Sequence, residues 1–155
     1  MISTTSKVAI STLEFSSSAP FYVIMEVYFF RGMNMKETVY FGTYTRRVSQ
    51  GIYKAEFDTE TGQLANLELF AAEPNPTYLA FDQDQHLYTV GSHDGKGGVA
   101  AYKIDGSLLN HVVEEGAPHC YVAVDEKRGL VYGANYHKGQ VLVYKRKEDG
   151  SLELA

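Results

Sequence analysis

The chain has 155 residues, the length of one ordinary domain, and a 45% hydrophobic content sufficient for a core. A net charge of −5 argues against a nucleic-acid partner and against an anionic membrane surface. The single cysteine, Cys120, excludes an internal disulfide framework and a multi-cysteine zinc site, and fits a reducing, cytoplasmic setting.

The stretch from Met1 to Pro20 is rich in Ser and Thr and carries no helical or strand period. Phe21 to Phe30 is an apolar run interrupted by Glu26. It makes a poor signal peptide, because Lys7 is the lone early cation and no small-residue cleavage site follows. It is also too short to span a bilayer. Met33 and Met35 stand directly before the first strand-like run, so the native start is expected at one of them. Residues 1–34 are then expected to be an adventitious, disordered or loosely attached extension.

From Val39 onward the chain repeats one phrase. The first, partial copy reads Val39-Tyr-Phe-Gly-Thr-Tyr44, then Gly51-Ile-Tyr-Lys-Ala-Glu-Phe57, then Asp58-Thr-Glu-Thr-Gly-Gln-Leu64. The second opens on Tyr78-Leu-Ala-Phe-Asp82, and the third, 43 positions later, on Tyr121-Val-Ala-Val-Asp125. Each full copy predicts four short strands rich in Val, Tyr and Leu. In the second these are about 77–81, 87–91, 98–104 and 108–113; in the third they are 121–124, 130–134, 140–144 and a beginning at 152–154. Asp105-Gly106 and Asp149-Gly150 are expected to join the third and fourth strands as tight hairpins, since Asp and Gly tolerate positive φ. No segment holds a 3.6-residue period, so no helix is expected.

An all-β repeat in the low forties predicts a β-propeller of four-stranded antiparallel blades. The partial propeller covers residues 35–155, with blade one at about 38–73, blade two at about 74–116 and blade three, incomplete, at about 117–155. Blade one lacks its opening strand. About two and a half blades cannot close a ring, so the chain is expected to be a piece of a longer one, completed by C-terminal blades, or else a subunit that closes by association. Alone it is expected to lack activity and to associate through unpaired edges.

The order Val39-Tyr-Phe-Gly-Thr-Tyr-Thr45, Gly51-Ile-Tyr53, Asn75-Pro-Thr-Tyr-Leu79 and the Asp-Gly-Ser-Leu closures resembles the N-terminal end of the seven-bladed propeller lactonases, the bacterial 6-phosphogluconolactonases and their relatives. The resemblance covers about residues 37–155 and implies roughly two and a half of seven blades. It implies hydrolysis of 6-phospho-glucono-1,5-lactone in the pentose phosphate pathway, without a metal or other cofactor. Similarity to lactone-closing enzymes of aromatic degradation leaves the substrate open. Catalytic His and Arg residues of the family are expected mostly in later blades.

In such a blade, the loop leading into the first strand and the loop between the second and third strands open on one face. The lead-in loops are Glu73-Pro-Asn-Pro-Thr77 and Gly116-Ala-Pro-His-Cys120; the others are Tyr44-Thr-Arg-Arg47, Ser92-His-Asp-Gly-Lys96 and Asn135-Tyr-His-Lys138. This mildly basic rim suits a phosphorylated sugar lactone. His119, just before an inner strand, is the candidate catalytic residue, as a base for water or a polariser of the carbonyl; a histidine packed against a neighbouring blade is the other reading. Arg46 and Arg47 are candidates for the phosphate, or are simply solvated. Asn75, His93, Asn135 and His137 are candidates for substrate contact, with capping or shaping of the entry turn the favoured reading of Asn75. His86 is read as surface and His111 as structural.

Gly91-Ser-His-Asp-Gly-Lys-Gly-Gly98 lacks the spacing and the following helix of a phosphate loop. Asp82-Gln-Asp84 fails the pattern of a calcium loop, and neither His93-Asp94 nor His119-Cys120 finds further metal ligands at suggestive spacing. Tyr53, Tyr102 and Tyr144 are read as interblade packing. The competing functional reading is a non-catalytic propeller scaffold that binds proteins or peptides.

Overall fold

A computed structural model of the protein describes residues 36–155; the extension at 1–34 and a start at Met33 or Met35 lie outside the described residues. The regular structure there is eleven strands, and no helix is long and apolar enough to cross a membrane. In chain order they are β1 (Lys36–Phe41), β2 (Gly51–Asp58), β3 (Leu64–Ala72), β4 (Leu79–Phe81), β5 (Leu87–His93), β6 (Lys96–Tyr102), β7 (Leu108–Glu114), β8 (Tyr121–Asp125), β9 (Leu130–Asn135), β10 (Gln140–Arg146) and β11 (Leu152–Leu154).

They pair as three separate antiparallel sheets, β1-β2-β3, β4-β5-β6-β7 and β8-β9-β10-β11. The two four-stranded sheets are blades two and three, with β4 and β8 as their opening strands; blade three, expected to be incomplete, has a short fourth strand in β11. The first sheet has three strands, so it begins where the later ones have their second strand, as the repeat implies.

Burial explains the strand compositions. The middle strands of blade two lie between two other blades, and Val90, Val99, Ala100 and Ala101 are fully buried although they point to alternate faces. One core joins blade one, through Tyr40, Ile52 and Phe70, to blade two, through Leu79, Leu87 and Tyr102. A second joins Tyr88, Val90 and Val99 of blade two to Val122, Val131 and Tyr144 of blade three. Tyr53 packs instead with Val39 and Phe41 in a separate cluster within blade one, so the three repeat tyrosines have different surroundings.

The Asp-Gly closures join the third and fourth strands as tight hairpins, as expected, but with positive φ at the glycine alone. At Gly106 and Gly150 φ is +87° and +85°, but neither preceding aspartate has a positive φ. The Asp105 carboxylate instead accepts the Ser107 amide at 2.9 Å, and Asp149 accepts that of Ser151 at 3.0 Å. Each is a four-residue turn, closed by the Gly106 amide on the Lys103 carbonyl and by the Gly150 amide on the Lys147 carbonyl, both at 3.0 Å, and braced by the aspartate side chain. The two-residue turn with both φ positive occurs at Asp94 (+50°) and Gly95 (+77°), between β5 and β6.

Polar ties also cross between blades. Asn110 on β7 donates to the Leu152 carbonyl at 2.8 Å and accepts the Leu152 amide at 3.0 Å. Asp82, at the end of β4, holds the His86 ring at 2.8 Å and meets the Arg146 guanidinium of β10, also at 2.8 Å. His86 is thus mostly buried and paired, and the expectation of a surface residue is corrected. Asp82 draws it in because a buried carboxylate requires donors.

Candidate functional site

In every blade the hairpin between the second and third strands leaves the sheet at the same end as the linker to the next blade. Those segments are 42–50, 94–95 and 136–139, with linkers 73–78 and 115–120. Topology therefore gathers Arg46, Arg47, His93 and His137 at one end of the blades.

Arg46 and Arg47 are both exposed. The Arg46 guanidinium lies 5.4 Å from the centre of the Tyr44 ring, a cation–π contact that steadies it. Asn75 takes a left-handed backbone, φ +48°. Its side-chain oxygen accepts the Thr45 amide at 3.1 Å, and its own amide donates to Thr45 Oγ1 at 3.2 Å. It fastens the linker to the arginine loop, so its side-chain acceptor is already engaged. His137 is exposed, with its ring 3.9 Å from that of Tyr136. Asn135 is buried; its amide donates to the Ala117 carbonyl at 2.8 Å and its oxygen accepts the Lys138 amide at 3.2 Å. That asparagine fastens the His137 loop to the adjoining linker.

His119 is held within blade three, against Gly133 and Tyr144. Its side chain turns inward and is only 2% exposed. Gly133 leaves the slot for the ring, since a Cβ there would stand 2.2 Å from His119 Cδ2, and Tyr144 offers its hydroxyl 2.5 Å from Nε2. Among the described residues, Nδ1 is a buried polar atom without a hydrogen-bond partner. Burial pushes the imidazole below its ordinary pKa, with Glu114 opposing that shift and Lys138 adding to it. Burial likewise raises the Tyr144 phenol. The ring is held by Gly133 and Tyr144 of its own blade, where packing against a neighbouring blade was the alternative expected.

Sequence reasoning missed a cluster around Glu73. This carboxylate, 1% exposed, accepts the Ser92 amide at 3.0 Å and the Tyr102 hydroxyl at 2.5 Å, and lies 2.8 Å from His111 Nε2. The Tyr102 phenol is raised, by burial first and then by this carboxylate. The His111 ring in turn stacks on that of His93, centroids 4.8 Å apart and planes 15° from parallel. The available signal was Gly91, which interrupts an apolar strand: a Cβ there would stand 2.4 Å from Glu73 Oε1.

Asp82, Asp84 and His86 bring carboxylate and imidazole ligand atoms within 4.8 Å of one another. Arg146 and His86 already engage Asp82, so a cation there would have to displace the guanidinium.

Successive four-stranded sheets that share cores face to face, with polar loops gathered at one end, define a β-propeller. Residues 38–155 match the family described as "Lactonase, 7-bladed beta-propeller". An uncharacterised protein of Lactococcus lactis subsp. lactis (strain IL1403) is 50% identical over 123 residues, which cover 77% of this chain and 36% of that protein. The 6-phosphogluconolactonase of Bacillus subtilis (strain 168) is 47% identical over 120 residues, covering 74% of this chain and 34% of the enzyme. A crystal structure of a protein from Lactobacillus plantarum superposes with a TM-score of 0.75 at 52% identity, covering 78% of this chain and 36% of that one. The chain belongs to the seven-bladed β-propeller lactonase family. It spans about a third of the length of the relatives it matches.

Proposed function

We propose that the complete protein is a lactone hydrolase acting on 6-phospho-glucono-1,5-lactone, a step of the pentose phosphate pathway in the cytoplasm. The reading rests on family membership and on one observation of geometry: Arg46, Arg47, His93 and His137 come from three blades to one face. The two guanidiniums supply bidentate donors for the phosphate. A rim imidazole takes a proton from water as the oxygen attacks the lactone carbonyl. The tetrahedral intermediate then collapses, the ring carbon–oxygen bond breaks, and the same imidazole returns the proton to the departing ring oxygen. One lactone and one water give one hydroxy acid, and the reaction consumes no other reactant.

The test is acid release by the complete protein from 6-phospho-glucono-1,5-lactone, corrected for spontaneous hydrolysis and compared with glucono-1,5-lactone. The expected result is acceleration with preference for the phosphorylated substrate, and a raised KM for that substrate alone in Arg46→Ala/Arg47→Ala. Absence of acceleration would sink the reading in favour of a scaffold that binds proteins or peptides. Equal use of both lactones would remove the phosphate from it.

A further inference from the structure

Glu73 touches the surroundings of His93 in two ways. Its Oε1 accepts the amide of Ser92, the residue directly before His93, at 3.0 Å. Its Oε2 lies 2.8 Å from Nε2 of His111, whose ring forms the floor under His93. A carboxylate is an acceptor alone, so the His111 Nε2 that faces it carries the proton. That bond and the strand β7 hold the His111 plane, and the stack at 15° passes the orientation to the His93 ring. On the outer side, Asp94 Oδ2 lies 3.4 Å from His93 Nε2.

A buried carboxylate is costly, and the blade repeat does not require this one. Forty-three residues on, the corresponding linker position of blade three is Gly116. The equivalent third-strand tyrosine, Tyr144, bonds to His119 instead of to an acid. Packing common to the blades therefore leaves Glu73 unexplained, whereas its two connections converge on the exposed imidazole beside it.

We propose that His93 is the rim imidazole that moves the proton in lactone hydrolysis, and that Glu73 and His111 are its positioning residues. This rests on the functional reading above. His93 touches water and substrate; the other two act through it.

The experiment is steady-state lactone hydrolysis by the complete protein in wild type, His93→Ala, Glu73→Gln, His111→Phe and the doubles carrying His93→Ala. His93→Ala should lower kcat by about a hundredfold or more, the usual contribution of a positioned acid–base group, with little change in KM. Glu73→Gln keeps the size of the side chain, and His111→Phe keeps a ring beneath His93. Each should lower kcat by about tenfold at constant KM, and neither should lower it further once His93 is absent, because residues acting through one group are non-additive. Full multiplication of the effects in the doubles would overturn the positioning role, and unchanged kcat in His93→Ala would overturn the inference while leaving the lactonase reading intact. Absence of hydrolysis by the wild type would remove both. If Glu73→Gln does not fold, the His111→Phe pair of variants decides.

Discussion

The guanidinium of Arg146, on the third strand of blade three, lies 2.8 Å from the carboxylate of Asp82, at the end of the first strand of blade two. The Asp82 side chain is fully buried, and Arg146 also reaches Glu126 at 2.9 Å. Glu126 in turn accepts the Gln83 amide of blade two at 2.7 Å. Two blades are thus tied by charge at the end opposite the rim.

Removing one member of a buried ion pair leaves the other uncompensated, at a cost of about 3–5 kcal/mol. Arg146→Ala leaves Asp82 with the His86 amide and ring and the Tyr88 hydroxyl as donors, so it should fall at the lower end, about 3 kcal/mol. Asp82→Ala strips the partner from His86 and Arg146 together and should cost more. Urea unfolding of the complete protein measures both. Equal midpoints for the two variants would show that the His86 and Tyr88 contacts add nothing.

The strands and blades were legible because their pattern is local. Short Val- and Tyr-rich runs between turn residues, repeated at one spacing, specify antiparallel pairs that the register confirms, such as Tyr121 opposite Ala134. The side-chain clusters were not legible in the same way. Tyr102 and His111 lie 29 and 38 residues from Glu73, and nothing local indicates that they meet. The direction of His119 depends on a slot above Gly133, which only the packed blade reveals. The Asp-Gly pairs carried the right residues for two different turns, and loop length decided between them.

Buried His119 makes stability depend on pH. Its folded-state pKa is depressed, by burial first, so between that value and the ordinary one near ~6.5 the unfolded chain binds more protons than the native one. The native state should therefore keep this contribution above the ordinary value and lose it as pH falls below. The depressed carboxylates of Asp58, Asp105, Asp125 and Asp149 lose theirs only at lower pH, through the carboxylate range. Comparing urea midpoints of wild type and His119→Gln at about pH 7.5 and 5 isolates the imidazole. The wild type should drop more than the variant, and parallel drops would show that His119 does not contribute.

Tyr144→Phe tests the same slot without altering its shape. The hydroxyl is the partner of His119 Nε2, and Nδ1 already has none among the described residues, so the variant leaves a buried imidazole with neither nitrogen bonded. An unsatisfied buried polar group costs about 1–3 kcal/mol. The loss should vanish in His119→Phe/Tyr144→Phe, where both polar partners are replaced by apolar groups. Persistence of the full loss in the double variant would place the tyrosine's contribution elsewhere.

Two glycines separate rigid from yielding contacts between linker and blade. A Cβ on Gly97 would stand 2.2 Å from the backbone nitrogen of Pro118, and one on Gly133 would stand 2.2 Å from the His119 ring. The first clash is with main chain of the linker that leads into β8, and relief requires blades two and three to separate. The second is with a side chain that another substitution can remove. Overpacking costs about 1–3 kcal/mol; Gly97→Ala should fall at or above the top of that range, and Gly133→Ala within it. Adding His119→Ala should restore part of the stability lost in Gly133→Ala, because the new methyl group then occupies space the ring has left. The same addition should restore nothing to Gly97→Ala, since its obstacle is the proline backbone. Thermal unfolding of the four variants in the complete protein makes the comparison. Rescue of Gly97→Ala by His119→Ala would mean that the ring, rather than the linker backbone, sets the spacing between these two blades.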